Sequence, residues 1–265
     1  MATPREIRRR IQSIKNTSQI TRAMEMVAAS KMRRAQQAVT ASRPYSDRLR
    51  LMIGDLAAMA ASDEEQQEFP LLERREINRS QVMLITADRG LAGAFNSNVI
   101  RRGLQFMRER EEGLENVDVV AIGRKGRDFL TRYGHPLVAD FTNMPDRLTI
   151  DDVRPIIQIA ADDFISGKVD AVHVVYTQFI NTLRQEPHVL QVLPIEPQEE
   201  TGEVRDYIFE PDPVTVLNEL LPRYIEVQIY QTMLESIASE HSARMVAMRN
   251  ATDNAKEIQD ELTMT

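Results

Sequence analysis

REIRRRIQSIKNTSQITRAMEMVAASKMRRAQQAVTASR, residues 5–43, holds neither glycine nor proline, and the run from Arg223 to Thr265 repeats that condition at the other end of the chain. A run of about forty residues makes a rod of about 60 Å at 1.5 Å rise per residue. That exceeds the 8–20 residues of an ordinary globular helix. Along the first run, residues recur at alternating spacings of four and three: Ile7, Ile11, Ile14, Ser18, Thr21, Ala28, Met32, Ala35 and Val39, with Glu25 at one position of the stripe. The last run carries Leu217, Leu220, Tyr224, Val227, Gln231, Leu234, Ala238, His241, Met245, Met248, Thr252, Ala255, Gln259 and Leu262 at the same spacing. The two ends therefore predict one long antiparallel coiled coil, with the intervening sequence carried as a head.

The seam of the first rod is weak. A strong zipper places Leu or Ile at each seam position, whereas the middle of this stripe is polar or small. Around Ala23-Met24-Glu25-Met26-Val27-Ala28-Ala29 the side chains are small or flexible on nearly the whole circumference. A helix apolar on all sides is usually buried on all sides, which predicts that another protein surrounds this part of the rod. Pro44 is expected to disrupt the pattern, with residues 49–61 a further helical stretch that includes Gly54. Near the start of the last rod, Pro222 is expected to be tolerated as a first-turn proline or a modest kink.

Between the rods the pattern alternates. Residues 82–86 and 117–122 are continuous apolar runs of the kind buried in parallel sheets. Residues 169–176 make a third strand, and residues 189–193 an edge strand before Pro194. Helices are expected over residues 95–110, 125–133 and 150–165. This spacing predicts a small α/β sandwich, Rossmann-like in resembling half of a doubly wound fold. Residues 195–212, rich in Glu and Pro, read as a loop. The expected fold is thus mixed α+β and α/β: residues 1–61 as the N-terminal coiled-coil helix, 70–212 as the globular domain and 213–265 as the C-terminal helix.

Composition narrows the function. Hydrophobic residues make 42% of the 265 and aromatics 5%, with thirteen Met and no Trp, which favours helix packing over a large aromatic core. Cysteine is absent, which excludes disulfides, thiolate metal sites and a thiol nucleophile. Nothing approaches the ~18 continuous apolar residues that cross a bilayer, and no apolar core follows the basic N-terminus as in a signal peptide. The expectation is a soluble, cytoplasmic chain with no direct membrane insertion. Residues 1–50 hold twelve Arg and Lys against three acids, so residues 51–265 carry −16 of a formal total of −7. A basic helix of this kind suits an acidic partner, nucleic acid or an anionic membrane surface. It equally suits a solvated face that complements the acidic remainder of its own chain.

No motif amounts to an active site. Residues 86–93, TADRGLAG, sit where phosphate loops sit, after a strand and before a helix. They lack both the dinucleotide glycine spacing and the Gly-Lys-Ser/Thr ending of a P-loop, and Ile122-Gly123-Arg124-Lys125-Gly126 is equally incomplete. Both read as tight turns, with Asp88 and Arg89 a charged pair presented to a partner. The four histidines (His135, His173, His188 and His241) are scattered without metal-ligand spacing. Catalytic residues, metal and cofactor are therefore all expected to be absent. A spacer scaffold would demand Leu or Ile throughout the seam. A small α/β enzyme would demand a complete strand-end motif, and a nucleic-acid binder more than one basic helix.

Taken together, the rods resemble one family. The stretch from Ile7-Arg8-Arg9-Arg10-Ile11 through residues 20–32, ITRAMEMVAASKM, is similar to the N-terminal helix of the gamma subunit of F-type ATP synthase, bacterial type. Residues 239–255, SEHSARMVAMRNATDNA, resemble its C-terminal signature, and residues 88–93 and 210–213 match between them. The resemblance implies a rotor shaft inside a ring of three alpha and three beta subunits. Its globular part would rest on epsilon and the membrane c-ring, at the cytoplasmic face of a bacterial plasma membrane. Rotation would couple proton flow to ATP synthesis or hydrolysis on beta, with no nucleic acid involved. It further implies that Lys31, Arg33 and Arg34 meet acidic lever segments of beta. Arg22 and Arg244 would face alpha or beta loops, Met24 would pack loosely against the ring, and Asp88 and Arg89 would add a contact. The family's C-terminal helix continues several turns beyond the position of Thr265, so the upper bearing contact is not carried over. The cysteine insertion of the chloroplast form is absent.

Overall fold

The computed structural model describes residues 3–60, 69–111, 116–145, 147–196, 210 and 212–264. Helix α1 spans Pro4–Ala60 and helix α5 Pro213–Met264. Each begins on a residue pattern that satisfies its orphan backbone donors. Thr3 and Glu6 form a capping box, with the Thr3 N–H donating to Glu6 Oε2 at 2.7 Å and the Glu6 N–H to Thr3 Oγ1 at 3.4 Å. At the head of α5 the Thr215 N–H donates to Asp212 Oδ1 at 2.8 Å. This bond holds the Asp212 carboxyl below its ordinary range. Pro4 and Pro213 take first-turn positions, where a missing N–H costs nothing.

The two helices pack antiparallel. Thr21 meets Thr252, their hydroxyls 2.6 Å apart and buried, and Arg249 Nε donates to Glu25 at 2.9 Å. Further along, Ala35 packs with Ala238. The covered residues of α1 follow the stripe read from the sequence, and they continue beyond it in the same phase through Ser42, Ser46, Leu49, Ile53 and Leu56. Pro44 does not interrupt the helix, contrary to expectation. It sits on the exposed side, where losing one backbone bond is outweighed by the packing of neighbouring turns on α5.

Between them lie β1 (Arg79–Ile85), α2 (Phe95–Glu111), β2 (Asn116–Ile122), α3 (Arg124–Arg132), β3 (Leu137–Phe141), α4 (Ile150–Ile165), β4 (Ala171–Phe179) and β5 (Gln185–Leu193). The strands form one sheet in the order β3-β2-β1-β4-β5, the first four parallel and β5 antiparallel. The sequence reading contained β1, β2, β4 and β5 but not β3. That strand is five residues long at a sheet edge and only half-buried on alternate positions, so it carries no continuous apolar run. Of the loop expected over residues 195–212, residues 197–209 and 211 lie outside the described residues.

Helices α2 and α3 cover one face of the sheet, through Val99, Ile100, Phe106 and Leu130 against Val82, Leu84, Val119 and Val175. The other face packs on α4, α5 and the C-terminal part of α1. Both faces being covered explains why β1, β2 and β4 read as unbroken apolar runs.

Helix α5 is thus covered by α1 on one side and the sheet on another, and its middle is buried around almost the whole circumference. Serine hydroxyls make this possible. Strand β4 outruns β1, whose last partner is Leu84 opposite Val175, leaving the main-chain groups of Thr177 without a strand neighbour on that side. Ser236 Oγ accepts from the Thr177 N–H at 3.1 Å, and Ser239 Oγ donates to the Thr177 carbonyl at 3.1 Å. One turn on, Ser242 Oγ donates to the Thr182 carbonyl at 2.8 Å. At the end of β2, Gly123 adopts φ 95°, and a Cβ there would lie 2.1 Å from the Thr86 carbonyl oxygen.

Ser239→Ala strands a buried carbonyl and is expected to cost about 1–3 kcal/mol. Gly123→Ala adds left-handed strain to steric overlap and is expected to cost ~3 kcal/mol or more. Urea unfolding of the full chain measures both, and a Gly123→Ala protein as stable as wild type would contradict the close approach.

Candidate partner-contacting surface

Strand β1 ends in a turn, residues 86–94, that must leave the sheet and start α2 while passing close to α5. Thr86 anchors it: its hydroxyl donates to the Ile122 carbonyl at 3.1 Å and accepts from the Gly126 N–H at 2.8 Å. Asn96 Oδ1 accepts from the Ala87 N–H at 2.9 Å. Asp88 Oδ1 accepts from the Arg124 N–H at 2.9 Å, at the first residue of α3. The tip of the turn is held to α5 by Arg244, which donates to the Gly90 carbonyl at 3.1 Å and pairs with Glu240 at 2.7 Å. The Arg244 guanidinium also lies 3.2 Å from His241 Nδ1. Burial pushes the Glu240 carboxyl up, against the attraction of Arg244. Asp88 raises it further and Lys31 opposes that.

Beneath this clasp is a cavity of about 310 Å³, bounded by Lys31, Asp88, Arg89, Gly123, Glu240 and Arg244. Of its charges, Arg244 and Glu240 form an ion pair, and its lining has no glycine-rich phosphate cradle. Among the described residues no group of three or more His, Asp or Glu has metal-site geometry.

The residues singled out in the sequence separate into two sets. Met24, Lys31, Arg89 and Arg244 line one groove of about 360 Å³ between α1 and the β1–α2 turn, together with Val27 and Leu91. Arg22, Arg33 and Arg34 lie on the exposed side of α1 and do not enter it. Within the Asp88-Arg89 pair only Arg89 is exposed, while Asp88 is half-buried and caps α3. Arg244 is turned inward, its side chain 12% exposed. Its guanidinium serves the Gly90 clasp rather than pointing away from the chain.

The sequence reading did not single out Glu240, although its i,i+4 spacing to Arg244 is a readable ion-pair signal. Nor did it pair Glu25, noted as an oddity of the seam, with Arg249. Met26 and Val27 belong to the segment that the sequence led us to expect another protein to surround, and the fold leaves them uncovered together with Ile20. Ile20, Met26 and Val27 of α1 are 60%, 62% and 56% exposed. Leu91 stands out beside them with φ 63°.

The family model described as ATP synthase matches residues 3–265. The ATP synthase gamma chain of Roseiflexus sp. (strain RS-1) is 51% identical over 267 residues, covering 100% of this chain and 91% of that protein. The gamma chain of Chloroflexus aurantiacus is 49% identical over the same share of each. Among solved structures, the central stalk and c-ring of the Tetrahymena thermophila mitochondrial ATP synthase contain a chain that aligns with a TM-score of 0.65 at 22% identity, over 88% of this chain and 99% of that one. The rotor of the Euglena gracilis enzyme gives 0.66 at 18% identity, over 98% and 94%. At those identities the structures speak to the fold, N- and C-terminal helices flanking a central mixed sheet. The relatives in sequence and the family match over nearly the whole length establish kinship: the chain belongs to the gamma-chain family of the F-type ATP synthase.

Proposed function

We propose that this chain is the central rotor shaft of an F-type ATP synthase, coupling proton-driven rotation of the c-ring to ATP synthesis or hydrolysis on beta subunits. Helices α1 and α5 form the antiparallel coiled coil that stands inside a ring of three alpha and three beta subunits. The Rossmann-like body, residues 70–212, rests against epsilon and the c-ring at the cytoplasmic face of the bacterial membrane. The chain itself is non-catalytic. No described helix is long and apolar enough to cross a membrane, so attachment runs through partners.

The observation that carries this reading is the belt of Ile20, Met26 and Val27, exposed on a helix whose opposite side is packed on α5. Exposed apolar groups clustered on one stretch mark an interaction surface. This cluster coincides with the stretch whose small and flexible side chains tolerate many packings. Methionine adapts its shape at little cost, which suits a contact renewed at successive angles. Arg33 and Arg34, exposed beside the belt, supply long-ranged and weakly directional attraction to acidic segments of beta. Met24, Lys31 and Arg89 line the neighbouring groove, and Arg22 extends the basic face. Asp88 and Arg244 hold the turn that presents Arg89.

Mixed with alpha and beta subunits, the full chain is expected to form a stable ring complex with nucleotide-dependent rotation, and failure to do so would overturn the rotor reading. The double reversal Arg33→Glu and Arg34→Glu is expected to lower coupled ATP synthesis about tenfold, ~1.4 kcal/mol of lost interaction. Torque and synthesis that match wild type in the assembled complex would remove the electrostatic contact. Met26→Glu is expected to leave the unfolding free energy of the isolated chain within about 0.5 kcal/mol while weakening ring assembly. Assembly at wild-type strength would show that the belt is not the contact.

A further inference from the structure

One carboxylate in the shaft lacks the partners that a buried charge requires. Glu235 projects from α5 at the junction of α1, α5 and β4 and is only 5% exposed. The Gln231 side chain and the Phe179 backbone N–H act to favour its charged form. Its Oε2, however, is buried without any hydrogen-bond partner. A buried carboxylate oxygen without a hydrogen-bond partner is costly, and the usual remedy is a proton on the group.

The surroundings reinforce this. From α1, Arg43 is the cation that acts on Glu235, and its own side chain lies at the exposed edge. From β4, Tyr176 adds a phenol whose ionisation is pushed up by burial and by Glu235 itself. From β5, His188 sits edge-on to that phenol, ring centroids 5.8 Å apart. On α5, Glu240 is paired with Arg244 one turn further on. Burial outweighs Arg43, and the Glu235 carboxyl is pushed above its ordinary range.

We infer that Glu235 is a proton-binding site built into the shaft, protonated while α1 and β4 enclose α5 and deprotonated when that packing opens. A carboxyl raised in the folded state binds more protons there than in the unfolded chain. Its contribution to stability is fully present below the unfolded value, about 4.3 for glutamate, and is lost as pH rises through the folded value.

Unfolding of the full chain between pH 4 and pH 8, compared with Glu235→Gln, tests the proposal. The neutral amide keeps the shape and cannot ionise. The two pH profiles are expected to run together at the acid end and to separate as pH rises, wild type becoming the less stable. The folding equilibrium constants should diverge about tenfold for each pH unit between the unfolded and folded values of Glu235. Arg43→Gln removes the opposing cation and should extend the separation to higher pH. Parallel profiles across the range would overturn the proposal. Titration of the Glu235 carboxyl in the folded wild-type chain, followed by its ¹³C resonance, gives a measurement that needs no variant: a midpoint in the ordinary glutamate range would overturn the proposal equally.

Discussion

Residues 225–242 of α5 have to be enclosed by α1 and by the sheet at the same time, and much of the architecture follows from that demand. A helix buried on all sides has no face on which to put polar groups, yet it must also satisfy the strand end it covers. Small hydroxyls resolve the conflict. Ser236 and Ser239, three residues apart and so on one side of the helix, take the N–H and carbonyl of Thr177. Ser242 continues the row to Thr182. Larger apolar side chains at these positions would hold the helix away from β4 and leave the strand end bare. Docking by hydrogen bonds also fixes the rotation and height of α5 against the sheet, which apolar contacts alone leave adjustable.

Further from the sheet the same helix pair changes character. At Thr21–Thr252 and Glu25–Arg249 the seam is polar, where a strong zipper would carry Leu or Ile. Polar seam pairs specify alignment at some expense of stability, since a slip of one turn would separate both partners of each pair. Beside these pairs Ile20, Met26 and Val27 stay uncovered. The inner side of α1 therefore fixes its position against α5, and the outer side remains loose and adaptable. A shaft needs that division between an inner seam that does not slip and an outer surface that does not lock.

Much of this was legible in the sequence because helical periodicity survives when its cause is packing on one partner. The alternating stripe of α1 matched the covered residues from Ile7 to Val39, and α4 matched at both ends. What escaped reading depended on the third dimension. Pro44 looked disruptive because the stripe was read only as far as Val39, and its continuation past the proline begins with the small polar residues Ser42 and Ser46, which carry no apolar signal. Strand β3 carries the weak half-buried alternation of an edge. Arg244 looked like an exposed cation because its partner carbonyl, on Gly90, lies 154 positions away and has no side chain to announce it. Among the candidate contacts, those on α1 followed from the family resemblance, with the basic charge and small side chains of that stretch beside it. The turn at residues 88–91 acquired its place only when α5 was seen to hold it.

That hold bears on how torque passes between body and shaft. A turn on β1 moves with the sheet, and Arg244 ties it to α5 within two turns of the serine row. The attachment is therefore two-point: hydroxyls to β4 on one side and a buried guanidinium to the β1–α2 turn on the other. Two directional anchors on different strands resist rotation of the helix about its own axis, which a single anchor would permit. The Arg244–Glu240 pair is largely withdrawn from water, so screening weakens it far less than an exposed pair. Unpairing it would leave a buried charge, a loss of about 3–5 kcal/mol. A load applied along the shaft then meets its stiffest resistance where the helices enter the body. The exposed belt of Ile20, Met26 and Val27 lies beyond both anchors, and under the rotor reading proposed above it is where contact with a surrounding ring would be remade at each step.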